Sequence, residues 1–156
     1  MNSSTTIQVR RMTPADLDHV IAIEQNLTAA PHWPRSAYQA ALDPQAAPPR
    51  IALVAEPSDA GVIAGFAVAS LIPPQAELES IAIAAEFKRR GLAGQLFSAL
   101  AAELSAAQVA EVILELRASN NPALALYHRL GFVESGRRTR YYHDPVEDAV
   151  LMRLAL

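Results

Sequence analysis

Apolar and polar positions change period several times along the chain, and each change marks an element. Ile7-Gln8-Val9-Arg10 alternates in twos and predicts a short strand with successive side chains on opposite faces. Thr13-Pro14-Ala15-Asp16 carries a helix-start signature, with Thr13 as cap, Pro14 at the first helical position and Asp16 at the positive end of the dipole. Leu17, Val20, Ile21 and Leu27 follow at helical spacing with Glu24 as the polar exception, so the helix is predicted to reach about Thr28. A second short helix is expected near Pro34-Arg35-Ser36, after the turn-like Pro31-His32-Trp33. Asp43 to Pro49, rich in proline and alanine, reads as a loop.

Ile51–Ala55 and Val62–Leu71 are apolar runs of strand length joined by Pro57-Ser58-Asp59-Ala60-Gly61, which predicts a hairpin. Pro73-Pro74-Gln75 breaks the chain, and Leu78–Ile83 makes the next strand. From Gly91 the period becomes helical, with Leu92, Leu96, Leu100 and Leu104 four residues apart. Val112–Arg117 returns to a strand. Asn121 as cap and Pro122 at the first position then open a helix carrying Leu126, Tyr127 and Leu130, which Gly131 ends. Phe132-Val133 and a last strand near Asp148–Leu154 complete the order βααβββαβαββ. This is a mixed α/β pattern without repeats or linkers, read as one domain over residues 1–156.

The chain has 156 residues, 51% hydrophobic and 19% charged, enough for one domain with a substantial core and too apolar for disorder. A net charge of −3 leaves no broad basic face for a nucleic-acid backbone. There is no cysteine, which removes disulfides, thiolate metal sites and every cysteine-nucleophile mechanism. The four histidines are scattered without metal-ligand spacing. The polar stretch Met1 to Arg11 has no signal-peptide core, and no apolar run is long enough to span a membrane. A soluble, cytoplasmic protein is expected.

The segment most informative for chemistry is Ile81-Ala82-Ile83 running through Lys88-Arg89-Arg90-Gly91-Leu92-Ala93-Gly94 into an amphipathic helix. The first N–H groups of such a helix lack internal partners and its dipole adds positive charge, so a strand–loop–helix of this kind builds an anion site. Gly91, Ala93 and Gly94 allow close approach to the main chain, and Arg89 and Arg90 can add charge-assisted bonds. A solvated basic turn is the other reading. Neither the P-loop pattern nor GxGxxG is present.

Lys88-Arg89-Arg90-Gly91-Leu92-Ala93-Gly94 after an Ile-Ala-Ile strand resembles the acetyl-CoA pyrophosphate loop of the GNAT superfamily of N-acetyltransferases, whose pattern is Gln/Arg-x-x-Gly-x-Gly/Ala. Lys88 departs from that pattern at its first place, while Gly91 and Ala93 fit it. Leu114-Glu115-Leu116-Arg117-Ala118-Ser119-Asn120-Asn121-Pro122-Ala123, with Leu126-Tyr127-His128-Arg129-Leu130-Gly131-Phe132, resembles the later motif of the same superfamily. It is similar in particular to the ribosomal-protein-alanine, RimI-like branch. Arg138-Thr139-Arg140-Tyr141-Tyr142 with Glu147-Asp148-Ala149-Val150-Leu151-Met152, and His32-Trp33-Pro34, match that branch too. The resemblance implies a GNAT-like domain whose mostly antiparallel sheet is splayed between the acetyl-CoA strands. Acetyl-CoA is then the co-substrate, its pyrophosphate on Lys88 to Gly94 and its thioester along Ile81, Ala82 and Ile83.

Alternation puts Glu115 and Arg117 on one strand face, opposite Leu114 and Leu116, where a surface charge paired with Arg117 is the plain reading. The resemblance implies instead a general base, with Glu79 as its rival. The demand on a base is modest: an α-amine of pKa near 8 costs roughly 3 kcal/mol less to deprotonate than a lysine. Tyr127 is a packing residue by position, and by resemblance the acid that protonates the departing thiolate. Asn120 ends the strand or caps a turn, or by resemblance bonds the cofactor. Trp33 and Tyr142 either pack or line the acceptor groove. His128 and His143 receive no role.

Without cysteine, direct transfer in a ternary complex is favoured over an acyl-enzyme. Three functions follow. The first is an N-terminal protein acetyltransferase, with alanine of a small-subunit ribosomal protein as the leading acceptor. The second is a small-molecule amine acetyltransferase, and the third an acyl-CoA-binding module, which would need neither Glu115 nor Tyr127.

Overall fold

A computed structural model describes residues 6–27, 32–58 and 61–156. The elements come in the expected order. Strand β1 (Ile7–Arg11) leads to helices α1 (Leu17–Gln25) and α2 (Arg35–Leu42), then β2 (Arg50–Pro57), β3 (Gly65–Ile72) and β4 (Gln75–Ile83). Helix α3 (Leu92–Ala106), β5 (Glu111–Arg117), α4 (Asn121–Arg129), β6 (Val133–Tyr142) and β7 (Glu147–Ala155) follow. They form one sheet in the order β1-β2-β3-β4-β5-β7-β6, in which only β4 and β5 run parallel. A parallel pair needs a crossover, and α3 supplies it.

Each face of the sheet has its own core. The evenly spaced Leu92, Leu96, Leu100 and Leu104 of α3 are all buried; three of them join Leu53, Leu78, Val112, Leu114 and Phe132 in a cluster that α4 flanks. On the other face α1 and α2 bury Leu17, Val20 and Tyr38 against Val54, Phe66 and Val68. Strands β2 and β3 are covered on both sides and read as continuous apolar runs.

Four local expectations are corrected. The start signature at Thr13 produces a 3₁₀ turn, Pro14–Asp16, and α1 begins only at Leu17, while the expected end at Thr28 lies outside the described residues. Asp16 does more than face a dipole: it is buried, accepts two bonds from Arg10 at 2.8 and 2.9 Å, and accepts the Thr13 N–H at 2.8 Å. The Arg10 guanidinium holds its carboxyl below the ordinary range. Val62 and Ile63 precede β3; Ile63 is apolar because it enters the core beside α1, not because it pairs in the sheet. The cap of α4 is Asn120 rather than Asn121, its Oδ1 accepting the Ala123 N–H at 3.3 Å. Edge strand β6 is ten residues long and almost wholly exposed, so it carries no apolar alternation beyond Val133.

Candidate active site

Strands β4 and β5 pair only at Gln75–Glu111, Ala76–Val112 and Glu77–Ile113. Just beyond, Val68 of β3 pairs with Ser80 while Ala69 pairs with Leu78, leaving Glu79 as the extra residue of a bulge. A bulge bends its strand and increases local twist. Strand β4 therefore departs with β3, β5 stays with β7, and the sheet opens between Ile81–Ile83 and Leu114–Arg117. Backbone polar groups on the β5-facing edge of Ile81–Ile83 have no ladder partner there and are available to a ligand. Gly65 makes the tight β3–β4 contact possible, since a Cβ there would lie 2.6 Å from Ile83 Cδ1 and 2.8 Å from the Ala82 carbonyl oxygen.

The tip of β4 continues through a 3₁₀ turn, Ala85–Phe87, into the basic loop. Gly91 caps α3 with φ +75°, and a Cβ there would meet nothing within 4 Å, so glycine serves the backbone conformation and leaves the approach clear. The N–H groups of Leu92, Ala93 and Gly94 precede the first intrahelical bond, which Gln95 makes to Gly91 at 3.2 Å. Lys88, Arg89 and Arg90 are exposed around them, with Arg90 over the Phe87 ring at 5.5 Å. Free N–H groups, small residues and three cations together suit a diphosphate.

On β5, Val112, Leu114 and Leu116 point to the α3–α4 core, and Glu115 occupies the opposite face. Its Oε1 lies 3.2 Å from Arg138 Nε, not beside Arg117 as the plain sequence reading has it. Glu79, at the bulge, is bound by Arg50 at 2.9 Å and its side chain is 15% exposed against 26% for Glu115. Glu77 lies close to both: partial desolvation, then the charges of Glu79 and Glu115, push its carboxyl up.

Tyr127 lies on the other side of the sheet, edge-to-face with Phe132 at 5.8 Å, and burial pushes its phenol up to about 12. Glu115 and Tyr127 thus flank the gap from opposite faces. Asn120, whose Oδ1 caps α4, retains its side-chain N–H₂ as a donor at the end of β5. Trp33 stands before α2 on the Glu115 face, its main-chain N–H donating to the buried Glu24 carboxylate at 2.6 Å and its ring 5.2 Å from that of Tyr38. Tyr142, at the end of β6, has its phenol pushed up by burial and by the charge of Glu115. Arg50, Arg138 and the pair Arg117–Glu147 were not legible in the sequence, because each meets its partner across 23 to 30 residues of chain.

The fold is that of the acetyltransferases: the sequence profile of the Acetyltransferase (GNAT) family matches residues 19–132, and the chain belongs to that family. Among its relatives, the [ribosomal protein bS18]-alanine N-acetyltransferase of Escherichia coli K12 is 41% identical over 98 residues, 62% of this chain and 66%, just under two thirds, of that protein. A putative enzyme of the same name from Bacillus subtilis is 32% identical over 148 residues, 95% of each chain. The crystal structure of the ribosomal-protein-S18-alanine N-acetyltransferase from Escherichia coli superposes with a TM-score of 0.79 at 32% identity, covering 96% of this chain and 94% of that one. Among the described residues no helix is long and apolar enough to cross a membrane, and no cluster of His, Asp and Glu is placed to hold a metal.

Proposed function

We propose that the chain transfers the acetyl group of acetyl-CoA directly to the N-terminal α-amine of a protein in the cytoplasm, with an N-terminal alanine of a small-subunit ribosomal protein as the first acceptor to test. The observation that carries this reading is the pair Glu115 and Tyr127 on opposite faces of an opened sheet. Direct transfer needs an amine arriving on one side of a carbonyl and a leaving group protonated on the other. The names of the relatives in Escherichia coli and Bacillus subtilis support the choice of acceptor.

Acetyl-CoA supplies the activated thioester when bound. The loop Lys88 to Gly94 holds its diphosphate through main-chain N–H groups, and the free edge of Ile81–Ile83 orients and polarises the carbonyl. Asn120 donates to the cofactor from its side-chain amide. Glu115, directly or through one water, takes the proton from the acceptor ammonium. Glu79 ranks second because Arg50 occupies it and its side chain is less open. Tyr127 donates a proton to the departing thiolate. Burial pushes its phenol up to about 12 and so keeps the proton on the oxygen at neutral pH. Trp33 and Tyr142 line the acceptor side. With no cysteine in the chain, no cysteinyl acyl-enzyme competes with this route.

Acetyl transfer to a peptide beginning with alanine, beside the same peptide blocked at its N-terminus, tests the reading. Acetylation of the free peptide alone is expected. Equal acetylation of both, or turnover only with small amines, overturns it.

A further inference from the structure

Arg117 ends β5 and touches more of the β6–β7 hairpin than any single ladder bond would require. Its Nη1 donates to the Pro145 carbonyl at 3.1 Å and to Glu147 Oε2 at 3.2 Å. Its Nη2 donates to the His143 carbonyl at 3.1 Å, and the guanidinium lies over the Tyr142 ring at 4.6 Å. Glu147 closes the arrangement by accepting the Ser119 N–H, which lies one residue before the cap of α4. One planar group therefore holds the hairpin from Tyr142 to Glu147, and its partner carboxylate ties that hairpin to the β5–α4 corner.

The hairpin needs such a tie. The β6–β7 ladder loses regular register between Arg138 and Tyr142, and Arg140 and Asp144 adopt positive φ of 52° and 51°. Its apolar side chains Tyr141 and Val146 are 46% and 62% exposed, so burial anchors it little. We propose that Arg117 is a positioning residue for the acceptor: with Glu147 it fixes Tyr142 and the hairpin over the Glu115 side of the gap, in register with the corner that carries Asn120 and Tyr127. The proposal rests on the acceptor reading given under Proposed function. A lysine cannot replace this residue, because a point charge does not reach two carbonyls, a carboxylate and a ring face at once.

The test compares wild type, Arg117→Gln, Arg117→Lys and Glu147→Gln in amide hydrogen exchange and in steady-state kinetics with an N-terminal alanine peptide. Arg117→Gln is expected to speed exchange over residues 140–147 while leaving α3 protected. It should raise the acceptor KM on the order of 10- to 100-fold, the range for a lost charge-assisted hydrogen bond, with the acetyl-CoA KM unchanged. Glu147→Gln should act in the same direction but less, and Arg117→Lys should recover only part of the loss. Unchanged exchange in a folded Arg117→Gln protein overturns the clamp itself. Faster exchange with an unchanged acceptor KM overturns its role toward the acceptor. Exchange needs no substrate, so a wild type that fails to acetylate the peptide overturns the acceptor reading, and the positioning role with it, while the clamp is still judged by exchange.

Discussion

The loop of residues 88–94 and the hairpin of residues 140–147 border the same gap, yet they are built by different means. The loop offers its main chain: consecutive N–H groups at the start of a 15-residue helix and a glycine at φ +75°, with the cations Lys88, Arg89 and Arg90 exposed around them. The hairpin works through side chains brought from elsewhere, with Arg117 of β5 gripping Tyr142, His143, Pro145 and Glu147. Main-chain donors are fixed by backbone conformation and are present whatever side chains the loop carries. A side-chain clamp depends on single residues, so one substitution at Arg117 is enough to probe it.

Substitutions can break or sharpen this contrast. The largest loss is expected where a single proton transfer depends on one atom. Tyr127→Phe should keep CoA binding and lose on the order of 10²–10⁴-fold in turnover, as for a removed general acid; near-normal turnover with chemistry rate-limiting would make Tyr127 a packing residue against Phe132. Glu115→Gln should cost on the order of 10²-fold near neutral pH and regain activity toward pH 9, because an α-amine deprotonates unaided near pH 8. Glu79→Gln should be milder; a pH–rate profile in which Glu79→Gln is the crippled, pH-rescued variant moves the base to Glu79.

Gly91→Val probes the loop. Forcing a β-branched residue to positive φ should weaken CoA binding on the order of 10-fold by calorimetry, with the acceptor KM unmoved, the mirror image of Arg117→Gln. The smallest functional effect is expected outside both regions, at Asp16. Its carboxyl pKa is lowered in the fold, so its contribution is present above the ordinary carboxylate range and is lost as pH falls through the lowered value. Asp16→Asn should therefore cost about 2 kcal/mol in urea titrations at pH 7, with the deficit shrinking on acidification and both KM values unchanged.

The two regions also differ in how far they could be read in advance. The layout of the loop was legible because its residues are contiguous: a strand, basic residues and small residues before an amphipathic helix fix a strand–loop–helix unit within a dozen positions. The alternation on β5 likewise places Glu115 opposite Leu114 and Leu116. The cap of α4 was misplaced by one residue, since Asn120 and Asn121 are chemically the same and only the backbone geometry distinguishes them. Strand β6 was hardly legible. It lies at the sheet edge with both faces in solvent, so no burial constraint imposes a period on Glu134 to Tyr141.

By itself the sequence determined what depends on neighbours along the chain: the order of helices and strands, the faces that seek a core, and the glycine-capped start of α3. These follow from local periodicity and from the backbone needs of glycine and proline, which act over a few residues. Only the tertiary structure decided that a bulge at Glu79 parts β4 from β5, that Glu115 faces Arg138 while Arg117 takes Glu147, and that Tyr127 stands across the gap from Glu115. Those features depend on strand register and on which charges meet across tens of residues, and neither has a local signature. The candidate site is therefore half main chain, written in consecutive residues, and half side-chain pairing, settled only when the sheet assembles.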